Sequence, residues 1–182
     1  MKMNLFEVIF SEDRLERTAV LYARRQISYG ELRDQTRRVA RILHRLRVAQ
    51  GDRVALLLND SPEFVAVFIA ICSSGAIAVP INTALRLEEQ QAILNDCTAR
   101  VAFIEADLCD SLSGATGRLP HLQQIVLIDR DASAGESSAA NREPPREDEN
   151  SEELKIWSFG KLMAQAYVGD GDSHARRSAL PI

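Results

Sequence analysis

The chain has 182 residues, enough for one domain whose core removes roughly 70% of the unfolded surface from water, and it carries a net charge of −4 with a pI near 5.5. With 46% hydrophobic and 26% charged residues, the composition is that of an ordinary soluble protein, and its acidic balance leaves no electrostatic footprint for nucleic acid. No apolar run reaches the ~20 residues that span a bilayer, and Met1 to Phe6 holds no apolar segment followed by a cleavage site, so a cytoplasmic protein is expected.

Leu5 to Arg17 reads as a short helix or irregular lead-in. Thr18–Tyr22 and Gln26–Tyr29, separated by Ala23-Arg24-Arg25, form a small antiparallel hairpin. Ser28-Tyr29-Gly30-Glu31 has the spacing of a capping box, in which the serine hydroxyl takes the N–H three residues on and the glutamate reaches back. The long helix behind it buries Leu32, Val39, Leu43 and Leu46, helped by Ala40 and Ile42. Its other face carries Arg33, Arg37, Arg38, Arg41, Arg45 and Arg47. Glu31 and Asp34 open that helix and the arginines crowd toward its end, the order that the helix dipole favours on a solvated face. No aromatic side chains interleave with them for base stacking, so no nucleic-acid partner is expected.

Gly51 to Asn82 is the unit around which the rest is arranged. Val54–Leu58 has the length of a buried parallel strand, and Asn59-Asp60-Ser61-Pro62-Glu63 supplies a helix start with a cap, a proline in the first turn and an acid at the positive end. Phe64–Cys72 is apolar on nearly every side, so that helix is expected to be covered all round. Gly75 offers a left-handed stop before a second strand at Ile77–Ile81. A helix over Leu85–Asp96, a strand at Val101–Glu105, a short helix around Leu108–Leu112 and a strand at Gln124–Ile128 continue the alternation. The expectation is an α/β fold, a parallel sheet with helices on both faces, over residues 1–130. Asp131 to Glu153 breaks the pattern: eight acids stand against two arginines with no large apolar side chain, which reads as an acidic disordered linker (131–153). Residues 154–182 are read as a helix from Trp157 to Met163, capped by Ser158, and a tail from Gly169 that leads toward a second subdomain.

The chemistry-bearing residues are sparse. Cys72, Cys97 and Cys109 are unevenly spaced and sit in predicted helices or helix ends, where buried thiols are expected; His44, His121 and His174 form no ligand pair at helical spacing. No catalytic residue, cofactor-binding residue or metal ligand is assigned. Asn82 to Arg86 lies just past the carboxyl end of a parallel strand, where α/β sheets tend to bind ligands, but its first reading is a plain loop into the next helix. Ser113-Gly114-Ala115-Thr116-Gly117-Arg118-Leu119-Pro120 looks like a phosphate loop, but no strand feeds it. A flavodoxin-like nucleotide binder would need a glycine-rich turn after Leu58, where Asn59-Asp60-Ser61-Pro62 stands instead.

Three motifs in order, Ile27-Ser28-Tyr29-Gly30-Glu31-Leu32, then Gly51-Asp52-Arg53-Val54-Ala55, then Gly75-Ala76-Ile77-Ala78-Val79-Pro80-Ile81-Asn82, resemble the opening core of the adenylate-forming enzymes, in particular the acyl- and aryl-CoA ligases. Ile93-Leu94-Asn95-Asp96, Leu119-Pro120-His121-Leu122 and the Ser158-Phe159 helix look like later landmarks, so the resemblance covers residues 4 to 168 apart from the linker. It implies a ligase that joins a carboxylic acid to ATP as an acyl-adenylate, with Mg²⁺, and passes the acyl group to CoA. On that template the chain is the first α/β subdomain, with the phosphate loop, the substrate pocket and the C-terminal lysine expected after Ile182. It is then inactive alone, and its partner is the remainder of the ligase, on the same or a separate chain. The alternative is a non-catalytic binding module on the same scaffold, which could form a homodimer through exposed apolar surface. Two departures from the family pattern are Arg86, where a helix-capping Thr or Ser is usual, and Thr98, where a Gly is usual.

Overall fold

The computed structural model describes residues 5–113, 119–129 and 154–168. A short helix α1 (Leu5–Ile9) and a 3-10 turn (Glu12–Arg14) precede the hairpin β1 (Thr18–Tyr22) and β2 (Arg25–Ser28). Helix α2 (Tyr29–Arg45) starts on the expected capping box: Ser28 Oγ accepts the Glu31 N–H at 3.1 Å and Glu31 Oε2 accepts the Ser28 N–H at 2.7 Å. Then come β3 (Arg53–Leu57), α3 (Pro62–Ser73), β4 (Ile77–Pro80), α4 (Leu87–Asp96), β5 (Val101–Glu105), α5 (Ala106–Ser113), β6 (Gln124–Ile128), β7 (Lys155–Ser158) and α6 (Phe159–Val168). The second sheet has five strands in the order β4-β3-β5-β6-β7, every pair parallel.

Strand periodicity divides the core in two. Val54, Leu56, Val101, Phe103 and Val126 face α2, α3 and α6, while Ala55, Leu57, Ala102, Ile104 and Ile125 face Leu94 of α4 and Cys109 of α5. Because both faces are covered, β3, β5 and β6 read in the sequence as unbroken apolar runs.

Three helices end by the same device. Val48 N–H reaches Leu43 O at 3.0 Å, Ala76 N–H reaches Ile71 O at 3.2 Å and Ala99 N–H reaches Leu94 O at 3.3 Å. Each such closure needs a left-handed residue just before the donor, and Arg47 (φ 57°), Gly75 (φ 76°) and Thr98 (φ 52°) occupy those places.

Three expectations are corrected. Helix α3 buries Pro62, Ala66, Val67, Ile69, Ala70 and Ile71, but Phe64, Val65, Phe68 and Cys72 are only half-buried, because α3 packs near the sheet edge formed by β4. The residues before the last helix are not part of it: Lys155–Ser158 is the strand β7, paired with β6, and four residues at a sheet edge are too few to show strand periodicity. The arginine face of α2 is not simply solvated. Arg33 pairs with Glu12 at 3.0 Å, Arg37 lies over the Phe6 ring at 5.6 Å, Arg41 donates to Ala166 O at 2.8 Å, and Arg45 donates to Gln165 and covers Trp157. These arginines fasten α1 and α6 to α2. The linker (131–153), the tail from Gly169 and the centre of the glycine-rich stretch (114–118) lie outside the described residues.

Candidate functional site

The direction of the helical connections locates a crevice. The chain leaves β3 into α3 on one face of the sheet, and leaves β4 and β5 into α4 and α5 on the other. Adjacent strands whose loops part to opposite faces open a gap beyond their carboxyl ends, the usual ligand position in an open α/β sheet. Here that gap is bordered by Asn59 after β3, by the loop Asn82–Arg86 after β4, and by Glu105 at the end of β5.

Polar side chains knit this edge together. Glu105, only 4% exposed, accepts the Asn59 N–H through Oε1 at 2.9 Å. Asn59 Oδ1 in turn accepts the Thr83 hydroxyl at 2.7 Å. Gln90 of α4, also buried, donates through Nε2 to Leu85 O at 3.0 Å and to Thr83 O at 3.3 Å. Within the loop, Asn82 Oδ1 accepts the Ala84 N–H at 2.9 Å, and Glu89 Oε2 accepts the Arg86 N–H at 2.9 Å. Asn82, Ala84 and Arg86 face outward from a loop whose backbone is held by protein groups.

The sequence reading singled out Asn82–Arg86, and the structure places that loop on the crevice. It gave no site role to Asn59, Gln90 or Glu105. The available signal was a polar residue at the end of each buried apolar run, Leu58 giving way to Asn59 and Ile104 to Glu105. Interior positions end there because the strand reaches the sheet edge, and a buried polar group at that point must find a partner.

Several polar groups at this edge are engaged with one another. In the first turn of α3, Ser61 Oγ accepts the Phe64 N–H at 3.0 Å and Pro62 has no N–H to offer. Among the described residues no three His, Cys, Asp or Glu side chains gather in a way that could hold a metal ion. Cys109 is buried, while Cys72 and Cys97 are half-buried, and burial pushes the Cys72 thiol above its usual range, away from thiolate chemistry. His44 and His121 are exposed and far apart in the chain; His174 lies outside the described residues. A second depression, about 360 Å³, lies between β2 and α2, with Arg25 and Arg38 set among Glu31, Asp34, Gln26 and Gln35. Its charges of both signs offset one another, so it presents no clear field to a charged ligand. No described helix is long and apolar enough to cross a membrane.

Known proteins resemble the chain over most of its length. The family model described as AMP-binding enzyme matches residues 9–168. A 4-hydroxybenzoate--CoA/benzoate--CoA ligase from Rhodopseudomonas palustris is 35% identical over 118 residues, which are 65% of this chain and 22% of that enzyme. The crystal structure of the anthranilate CoA ligase AuaEII with anthranoyl-AMP is 34% identical at a TM-score of 0.66, over 69% of this chain and 25% of that one. Coronafacic acid ligase from Pectobacterium brasiliense, 18% identical, supports the fold alone, with a TM-score of 0.70 over 90% of this chain and 30% of its own. The chain thus spans only 22% to 30% of the length of these relatives.

Proposed function

This chain belongs to the AMP-binding enzyme family, and from that premise we propose that it is the N-terminal portion of an AMP-forming CoA ligase acting on an aromatic carboxylic acid. The complete ligase would join the acid to ATP, releasing pyrophosphate and forming an acyl-adenylate, and then pass the acyl group to the CoA thiol with release of AMP. The observation that carries the reading is that two aryl-CoA ligases match this chain at 35% and 34% identity. The crevice bordered by Asn59 and Asn82–Arg86 supports it, since that is where an α/β subdomain contributes to a ligand site.

We assign ATP and Mg²⁺ to the remainder of the ligase, a reading supported by the share of the relatives' length, 22% to 30%, that this chain spans. Alone, the chain should therefore bind neither productively, and its partner is that remainder. A second reading, a non-catalytic module that self-associates, is favoured by the exposure of Leu21 (75%) and Ile77 (50%). ATP-dependent pyrophosphate release with benzoates, measured for the chain alone and mixed with the product of the adjacent coding sequence, separates the two.

A further inference from the structure

A polar link between the crevice loop and the centre of the sheet runs through Asn59, which is held by its main chain on one side and holds by its side chain on the other. Its N–H is fixed by the buried Glu105 carboxylate at 2.9 Å, and its Oδ1 receives the Thr83 hydroxyl at 2.7 Å. Apolar contacts seat α3 and α4 on the sheet, and Leu85 of the loop joins the same core, so the polar contacts of Asn59 bear on the part of the loop that is not packed. The contacts instead order Asn82–Arg86, whose own chain supplies only the short turn from Asn82 to Ala84 and Leu85.

We infer that Asn59 is a positioning residue that holds the Asn82–Arg86 loop in one ligand-ready form, with Glu105 acting on that loop through Asn59. The inference rests on reading this edge as the ligand crevice of a ligase. A loop ordered before its ligand arrives loses little entropy on binding, which is the advantage of building a site in this way. Gln90 completes the arrangement from α4 by taking the carbonyls of Thr83 and Leu85. The loop is therefore held from β3 by Thr83 and from α4 by its backbone oxygens, and outward-facing Ala84 and Arg86 inherit a fixed geometry.

The test is native-state amide hydrogen exchange on the full 182-residue chain, comparing wild type with Thr83→Val, Thr83→Ser, Glu105→Gln and the double variant Thr83→Val/Glu105→Gln. It needs no enzymatic activity, so its outcome is independent of whether the ligase reading holds. Thr83→Val should accelerate exchange at Ala84 and Leu85 about five- to tenfold, the loss expected for one hydrogen bond, while Phe103 and Val126 at the sheet centre stay unchanged. Thr83→Ser, which keeps the hydroxyl, should restore the wild-type rates. Glu105→Gln, which keeps an amide oxygen as acceptor for the Asn59 N–H but removes its charge, should accelerate the same loop amides to a smaller extent, and the double variant should exchange no faster than Thr83→Val alone, because the two act through one residue. Unchanged loop rates in Thr83→Val, a uniform rise across the sheet, or additive effects in the double variant would each overturn the inference. The Thr83 pair alone keeps it falsifiable should Glu105→Gln fail to fold.

Discussion

Thr98 holds its backbone in the left-handed region, at φ 52°, while its hydroxyl receives the Arg53 guanidinium. Arg53 Nε also donates to Cys97 O at 2.8 Å, so the end of α4 is fastened to the start of β3 by one side chain. The position suits glycine conformationally, since a β-branched residue there carries roughly 1–2 kcal/mol of strain, and the hydroxyl offsets part of that cost. Thr98→Ala keeps most of the strain and loses the bond, whereas Thr98→Gly loses both. Thr98→Gly should accordingly be about 1 kcal/mol more stable than Thr98→Ala in urea unfolding. Equal midpoints for the two would show that the backbone is not strained.

Helix α4 begins with half a capping box. Glu89 reaches back to the Arg86 N–H at 2.9 Å, but a guanidinium has no lone pair for the helix N–H groups and brings a positive charge to the positive end of the helix. Arg86→Thr supplies the missing acceptor and should raise stability by about 1 kcal/mol, a gain of ~2–4 °C in the thermal midpoint. A midpoint that stays level or drops would mean that another group already satisfies those N–H groups.

Gly75 ends α3 at φ 76°, and a Cβ there would approach Gln50 Cγ at 3.1 Å. Gly75→Ala combines left-handed strain with a contact that the flexible Gln50 side chain can relieve. The backbone term dominates, and a loss of about 1–2 kcal/mol is expected in chemical unfolding. An unchanged midpoint would place the stop of α3 elsewhere.

The capping box of α2 gives a pH dependence of known sign. The Ser28 backbone N–H, then its hydroxyl, hold the Glu31 carboxyl below the usual glutamate range. A depressed carboxylate contributes stability above its unfolded pKa and loses it as pH falls through the folded value. The loss therefore lies on the acid side of the ordinary glutamate range. Glu31→Gln should lower stability at neutral pH, converge with the wild type at the acid end where Glu31 is protonated, and so flatten that part of the profile; parallel profiles for the two proteins would contradict the assignment.

The sheet was legible because its central strands are buried on both faces: Val54–Leu58, Val101–Glu105 and Gln124–Ile128 each stand out as compact apolar runs, and Ser28 with Glu31 marks the start of α2. Strand β7 was not, since Lys155-Ile156-Trp157-Ser158 lies at a sheet edge and offers only four residues. The arginines of α2 misled for a related reason: their sequence spacing reports the helix face, but not that Gln165, Ala166 and Trp157 return to meet them from more than a hundred residues away. At the candidate site, Asn82–Arg86 could be placed from topology. The pairing of Asn59 with Thr83 and Glu105 could not, because it depends on which strands become neighbours.

The most direct measurement is ATP-dependent pyrophosphate release in the presence of benzoate and hydroxybenzoates, from the purified chain alone and after mixing with the product of the adjacent coding sequence. An N-terminal ligase subdomain predicts silence from the chain alone and release that appears on mixing and depends on the aromatic acid. Release from the chain alone, or continued silence in a mixture with a folded product that carries the remaining ligase segments, would contradict it.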